Sequence, residues 1–165
     1  MTKKKRKAYQ GPKYISKNPM KTFFGGMSDT HAEHLQVTRT INHAALQAMA
    51  QGRGDKEQWD RINGAINIAL VMVEQGIGRE FRDEFLAARD AMLAVALRSA
   101  KLNGRFVLTG DELHALNTAM DSHDAQLINV RALDIDRAAA EVIRRMKHHI
   151  GTQSVNAEIA RQEAA

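Results

Sequence analysis

Apolar residues recur at alternating spacings of three and four through most of this chain, and glycine interrupts that rhythm at intervals. Trp59, Ile62, Ile66, Ala69 and Val73 form one such run, and Leu113, Leu116, Met120, His123, Leu127 and Val130 another. A period near 3.5 places each run on one helix face, and several such faces bury themselves by packing on each other. Two prolines, few aromatics and frequent Ala, Leu, Ile and Met favour the same class. The expected fold is all-α, an antiparallel bundle of four to five helices over residues 28–150. An extended basic arm, residues 1–27, precedes it, and a loose tail, residues 151–165, follows.

The stops divide the bundle. Thr30 to Glu33 has the form of a capping box, and Val37, Ile41, Ala44 and Ala48 are the expected inward stripe of the first helix, ended by Gly52-Arg53-Gly54. Asp55, with Gln58 three residues on, caps the second helix, which Gly76-Ile77-Gly78 ends. The third runs from about Arg79 to Leu102. Phe81, Phe85, Ala88, Met92 and Val95 line it, and Leu86, Leu93 and Leu97 widen the stripe enough to suggest the central helix. Thr109 and Glu112 form another capping box before the fourth helix. Asp134 is the expected cap of a fifth segment, with Ile135, Ala139, Val142, Met146 and Ile150 inward and Gly151 at its end.

Charge is distributed very differently. Residues 1–22 contribute +8 to a chain whose net charge is +5, so the remainder carries −3. Lys3, Lys4, Lys5, Arg6, Lys7, Lys13, Lys17 and Lys21 supply the positive charge, with Tyr9 and Tyr14 among them. Gly11-Pro12, Asn18-Pro19 and Gly25-Gly26 argue for an irregular or extended course. Such cations neutralise phosphates and release counterions, and interleaved tyrosines stack on exposed bases. An acidic protein groove, or the body's own acidic surface, is an alternative partner. Phe23 and Phe24, between Met20 and Met27, read as an anchor onto the body or a partner. Arg144, Lys147 and His148 share a face late in the chain. They make a possible second basic patch, or simply favourable cations at a helix C-terminus.

Other chemistry finds little support. Without cysteine there is no disulfide, thiolate site or thiol nucleophile. The histidines do not form the paired Glu-x-x-His pattern of a di-iron bundle, so neither a metal nor another cofactor is expected. Ser122-His123-Asp124 is a triad only in letters, since consecutive helix residues point about 100° apart. His123 instead reads as a satisfied core histidine. No phosphate-binding glycine motif occurs. The charged start has no apolar stretch behind it, and no run reaches the roughly 18 residues that span a bilayer. The expectation is a non-enzymatic cytoplasmic protein with no membrane partner.

The opening KKKRKAYQGPKY, with Asn42-His43-Ala44-Ala45-Leu46 and Gly104-Arg105-Phe106-Val107-Leu108, resembles a group of small proteins carried by prophages and plasmids of proteobacteria. That resemblance implies a context, the mobile genetic element, whose small proteins include regulators, nucleic-acid accessory factors and inhibitors of host defences such as anti-CRISPR proteins. Two functions fit. One is an accessory protein binding nucleic acid or a nucleoprotein through the arm. The other is a protein-directed inhibitor or adaptor acting through the helical body and Phe23/Phe24. The seams also permit a homodimer.

Overall fold

A computed structural model describes residues 31–128 and 130–148. Over them the chain forms five helices: α1 His31–Ala50, α2 Lys56–Glu74, α3 Arg82–Lys101, α4 Gly110–Ile128 and α5 Ala132–Lys147, with a 3₁₀ turn Arg79–Phe81 leading into α3. The first four pack on their sequence neighbours through short connections, which force antiparallel courses. The expected cap at Thr30, the inward Ile150, the arm 1–27 and the tail 151–165 lie outside the described residues.

Local chemistry sets the helix starts. Asp55 accepts from the backbone N–H of Glu57 and Gln58, while the Gln58 side chain accepts from the Asp55 N–H at 3.0 Å, which completes a capping box. Thr109 and Glu112 make the same reciprocal pair, at 3.3 and 2.7 Å. Glu112 also meets Arg98 of α3, with Arg98 Nη1 donating to Glu112 Oε1 at 3.0 Å. The cap of α4 is therefore fastened to the preceding helix. Asp55→Ala should cost about 1 kcal/mol, read as a lowered urea midpoint with an unchanged slope.

The core forms where the seams meet. Ile62, Ile66, Ala69 and Val73 of α2 pack with Phe85, Ala88, Met92 and Val95 of α3 and Leu116, Ala119 and Met120 of α4. Trp59 closes one end of it: its indole Nε1–H donates to the Met92 carbonyl at 3.2 Å, and its ring lies 5.8 Å from that of Phe106. A second apolar cluster joins Val71 and Met72 of α2 to Leu127, Val130, Ile135, Ala138, Ala139 and Val142. The helix that touches all the others is α2, not α3. The half-buried Leu86, Leu93 and Leu97 widen the stripe of α3 without adding a neighbour, whereas α2 buries residues on two sides.

Three further expectations are corrected. On α1 the inward residues are Asn42, Ala45, Leu46 and Met49, while Val37 and Ile41 are 51% and 40% exposed and Ala44 is exposed. Both stripes have helical spacing, and the one carrying Leu46 and Met49 buries the larger side chains. Its polar member Asn42 disguises it in the sequence. At the start of α5 the N-cap is Arg131, not Asp134. Asp134 sits in the first turn, where the Arg131 guanidinium donates to it from Nε at 2.7 Å and Nη2 at 3.1 Å. An ion pair replaces the expected hydroxyl- or carboxylate-type cap. Met146 is 66% exposed rather than inward. It sits in the last turn of α5, beyond the stretch from Ile135 to Val142 that the second cluster covers.

Candidate nucleic-acid interface

Helix α1 starts at His31, immediately after the basic and aromatic segment. The residues expected to meet phosphates and bases, Lys3, Lys4, Lys5, Arg6, Lys7, Tyr9, Lys13, Tyr14, Lys17 and Lys21, lie outside the described residues. So do the anchors Phe23 and Phe24. The structure instead shows how the body disposes of its own charge, which determines whether it offers a competing cationic surface.

Most of the body's cations are engaged within it. Lys56 pairs with Asp60 and Arg61 with Glu57 along α2, Arg89 with Asp90 on α3, and Arg98 with Glu112 between α3 and α4. Arg131 and Arg137 share Asp134. Among the described residues, Arg53, Arg79, Lys101, Arg105 and Lys147 are in no ion pair. Arg53, Lys101 and Arg105 lie in or beside the α1–α2 and α3–α4 connections, which the antiparallel course brings to one end of the bundle, where Trp59 meets Phe106, whereas Arg79 precedes α3 and Lys147 ends α5. A duplex backbone takes a contiguous positive stripe, and these five are fewer than the eight cations that precede residue 22.

The expected second patch is the instructive case. Arg144 Nε and Nη2 both donate to Glu141, each at 2.7 Å. Arg145 donates from Nε to the same carboxylate at 2.9 Å and from Nη1 to Glu74 of α2 at 3.0 Å. The two guanidiniums, Arg144 first and Arg145 second, hold the Glu141 carboxyl at about 2. Arg145 likewise holds Glu74 below its ordinary value. Of the three residues expected there, Lys147 and His148 are exposed with no recorded partner, while the charge of Arg144 is locally balanced. Arg144 and Lys147 also occupy the last turn of α5, where cations suit the helix dipole.

The pair of Arg145 with Glu74 ties the end of α5 to α2, Glu141 holds Arg145 from within α5, and acid should release the tie. Both carboxyls have folded pKa values below 4.5, so their contribution is complete above 4.5. It is lost as pH falls from there toward about 2 for Glu141. Amide protection factors in α5 are expected to drop between pH of about 5 and about 3. Those of α3, which carries no such pair to α5, should fall later.

Two arrangements escaped the sequence reading. Arg39 Nε and His43 Nε2 of α1 each lie 3.0 Å from Asp124 Oδ2 of α4 and clamp the two helices together. Arg39 and His43 are an i,i+4 pair, the one available clue, but nothing local points to Asp124 as their partner. Inside the core, Gln126 donates from Nε2 to the carbonyls of Ala69 at 3.2 Å and Ile77 at 2.9 Å. Its Oε1 is thereby left to accept from His123 Nδ1–H at 3.0 Å. Ser122, His123 and Asp124 thus serve three directions. Ser122 is buried, His123 turns to Gln126, and Asp124 reaches across to α1.

No described helix is long and apolar enough to cross a membrane. Among the described residues no three metal-ligating side chains gather. Comparison with protein-family models, curated proteins and solved structures finds no match to this chain.

Proposed function

We propose that this chain is a non-enzymatic accessory protein of a mobile genetic element that binds nucleic acid, or a nucleoprotein, through its N-terminal basic segment. The observation that carries the reading is the division of charge. Eight cations without one acid precede residue 22, whereas the body's arginines are largely absorbed by carboxylates of the same or adjacent helices. The body acts as a compact carrier that fixes one end of the segment. Lys3, Lys4, Lys5, Arg6, Lys7, Lys13, Lys17 and Lys21 neutralise phosphates, and Tyr9 and Tyr14 add stacking on unpaired bases. No arginine of the segment has a sequence spacing that implies base readout, so no sequence preference is assigned.

Filter binding of the full chain and of a chain lacking residues 2–22 tests this reading. The deletion is expected to weaken binding at least tenfold at low salt, while Arg144→Ala leaves it near the parent value. Equal affinity of the two chains would refute the assignment. The alternative is a protein-directed inhibitor or adaptor acting through the helical body and Phe23/Phe24. It requires a stoichiometric protein partner that survives nuclease treatment.

A further inference from the structure

The stripe Val37, Ile41, Ala44 and Ala48 has spacings of 4, 3 and 4, as a helix-packing seam requires, yet the bundle leaves its first three residues exposed and Ala48 half-buried. Val37 and Ile41 belong to neither apolar cluster. They lie about 200° around α1 from Arg39 and His43 respectively, the pair that clamps α1 to α4. The stripe is therefore on the flank turned away from α4. Along one edge run Glu33, Thr40 and Gln47, all exposed, and along the other His34 and Thr38, both half-buried. The only carboxylate on this rim is Glu33. An apolar strip of this shape, with polar edges and a single negative charge, suits a short apolar segment carrying lysines.

We propose that residues 20–27 of this chain occupy that strip, with Phe23 and Phe24 on Val37 and Ile41. Three arguments select this occupant. Reach allows it: Phe24 is seven residues before His31, about 23 Å of extended chain, while Ile41 lies ten residues into α1, about 15 Å along it. Gly25 and Gly26 fall where the chain must reverse, and glycine adopts the required backbone without penalty. Composition allows it: Met20, Phe23, Phe24 and Met27 are the large apolar group of the first 27 residues, and Lys17 and Lys21 border them as counterparts to Glu33. Size favours it: one Val, one Ile and two Ala cannot supply the roughly 800 Å² per partner that a stable complex buries. A tethered segment needs far less, because its effective concentration is in the millimolar range.

Docking divides the N-terminal segment into a seated part, residues 20–27, and a projecting part, residues 1–19. The projecting part holds seven of the eight cations and both tyrosines. They then leave the body at one place, beside α1, instead of sweeping the full length of the segment. This division holds whatever ligand the projecting part takes.

Hydrogen exchange on the full-length chain tests the proposal. Amides of residues 22–28 are expected to exchange at least tenfold more slowly than an unstructured chain. Ile41→Glu should return them to the unstructured rate while α2 and α3 keep their protection. Val37→Glu serves as the second variant, should the first disturb the bundle. Unprotected amides at 22–28 in the parent, or protection that survives both variants, would overturn it. So would sedimentation showing a dimer that Ile41→Glu dissociates, which would give the strip to a second copy.

Discussion

Phe85→Ala is expected to be the most damaging single truncation in the bundle, with a loss of about 3–5 kcal/mol. Its ring is fully buried in the main core, edge-on to Phe81 at 6.4 Å and to His123 at 6.3 Å. Removing it leaves a cavity where α3 meets α4, beside His123. Domains of this size are stable by about 5–15 kcal/mol, so the variant should retain a fraction of the parent's stability or none. Equilibrium denaturation measures the loss directly, and a change below about 1 kcal/mol would mean that Phe85 is not where the core is tightest.

Gln126→Leu should come second. The substitution keeps the volume but removes three hydrogen bonds around a side chain that is itself buried. The Ala69 carbonyl still has its place in the helix ladder of α2, so its loss is small. His123 Nδ1–H and the Ile77 carbonyl have no such reserve, and each buried group left unsatisfied costs about 1–3 kcal/mol. Gly78 is part of the same device. It adopts φ +66°, and a Cβ there would meet Gln126 Cγ at 2.9 Å. The Gly76-Ile77-Gly78 turn therefore both ends α2 and lets the chain approach Gln126.

The same site sets a pH dependence. Burial pushes the His123 pKa below its ordinary 6.5, against smaller raising effects of Gln126 and Asp124. The folded state keeps the ring neutral while the unfolded chain protonates it. Stability is therefore complete above about 6.5 and falls as pH drops below that value, by up to about 1.4 kcal/mol per pH unit. Denaturation midpoints compared at pH of about 7.5 and about 5.5 check the sign, and His123→Gln should flatten that difference.

How much of this was legible in the sequence depended on how local the cause is. The boxes at Asp55 and Thr109 could be read because every partner lies within three residues. The seams of α2, α3 and α4 could be read because large side chains mark one face only. On α1 two stripes compete, and a choice between them needs the neighbours that Leu46 and Met49 bury against. The role of His123 as a core residue was visible from its seam position, but its partner Gln126 and their joint hold on Ile77 were not. Ion pairs such as Arg145 with Glu74 and Arg39 with Asp124 link positions far apart in sequence. They depend on where helices pack, which periodicity does not specify. The pair of Arg144 with Glu141 is the opposite case: its partner lies three residues away and the spacing already allowed it.

That contrast between a body whose arginines are mostly paired within it and a segment that carries eight cations and no acid leads to one decisive measurement. The affinity of the full chain for a duplex of arbitrary sequence should be followed as a function of salt. With about half of the eight cations engaged, log K against log salt should fall with a slope of about −3 to −4, each phosphate contact contributing about −0.9. Deleting residues 2–22 should bring that slope close to zero. A slope that survives the deletion would place the phosphate contacts on the helical body and contradict the assignment.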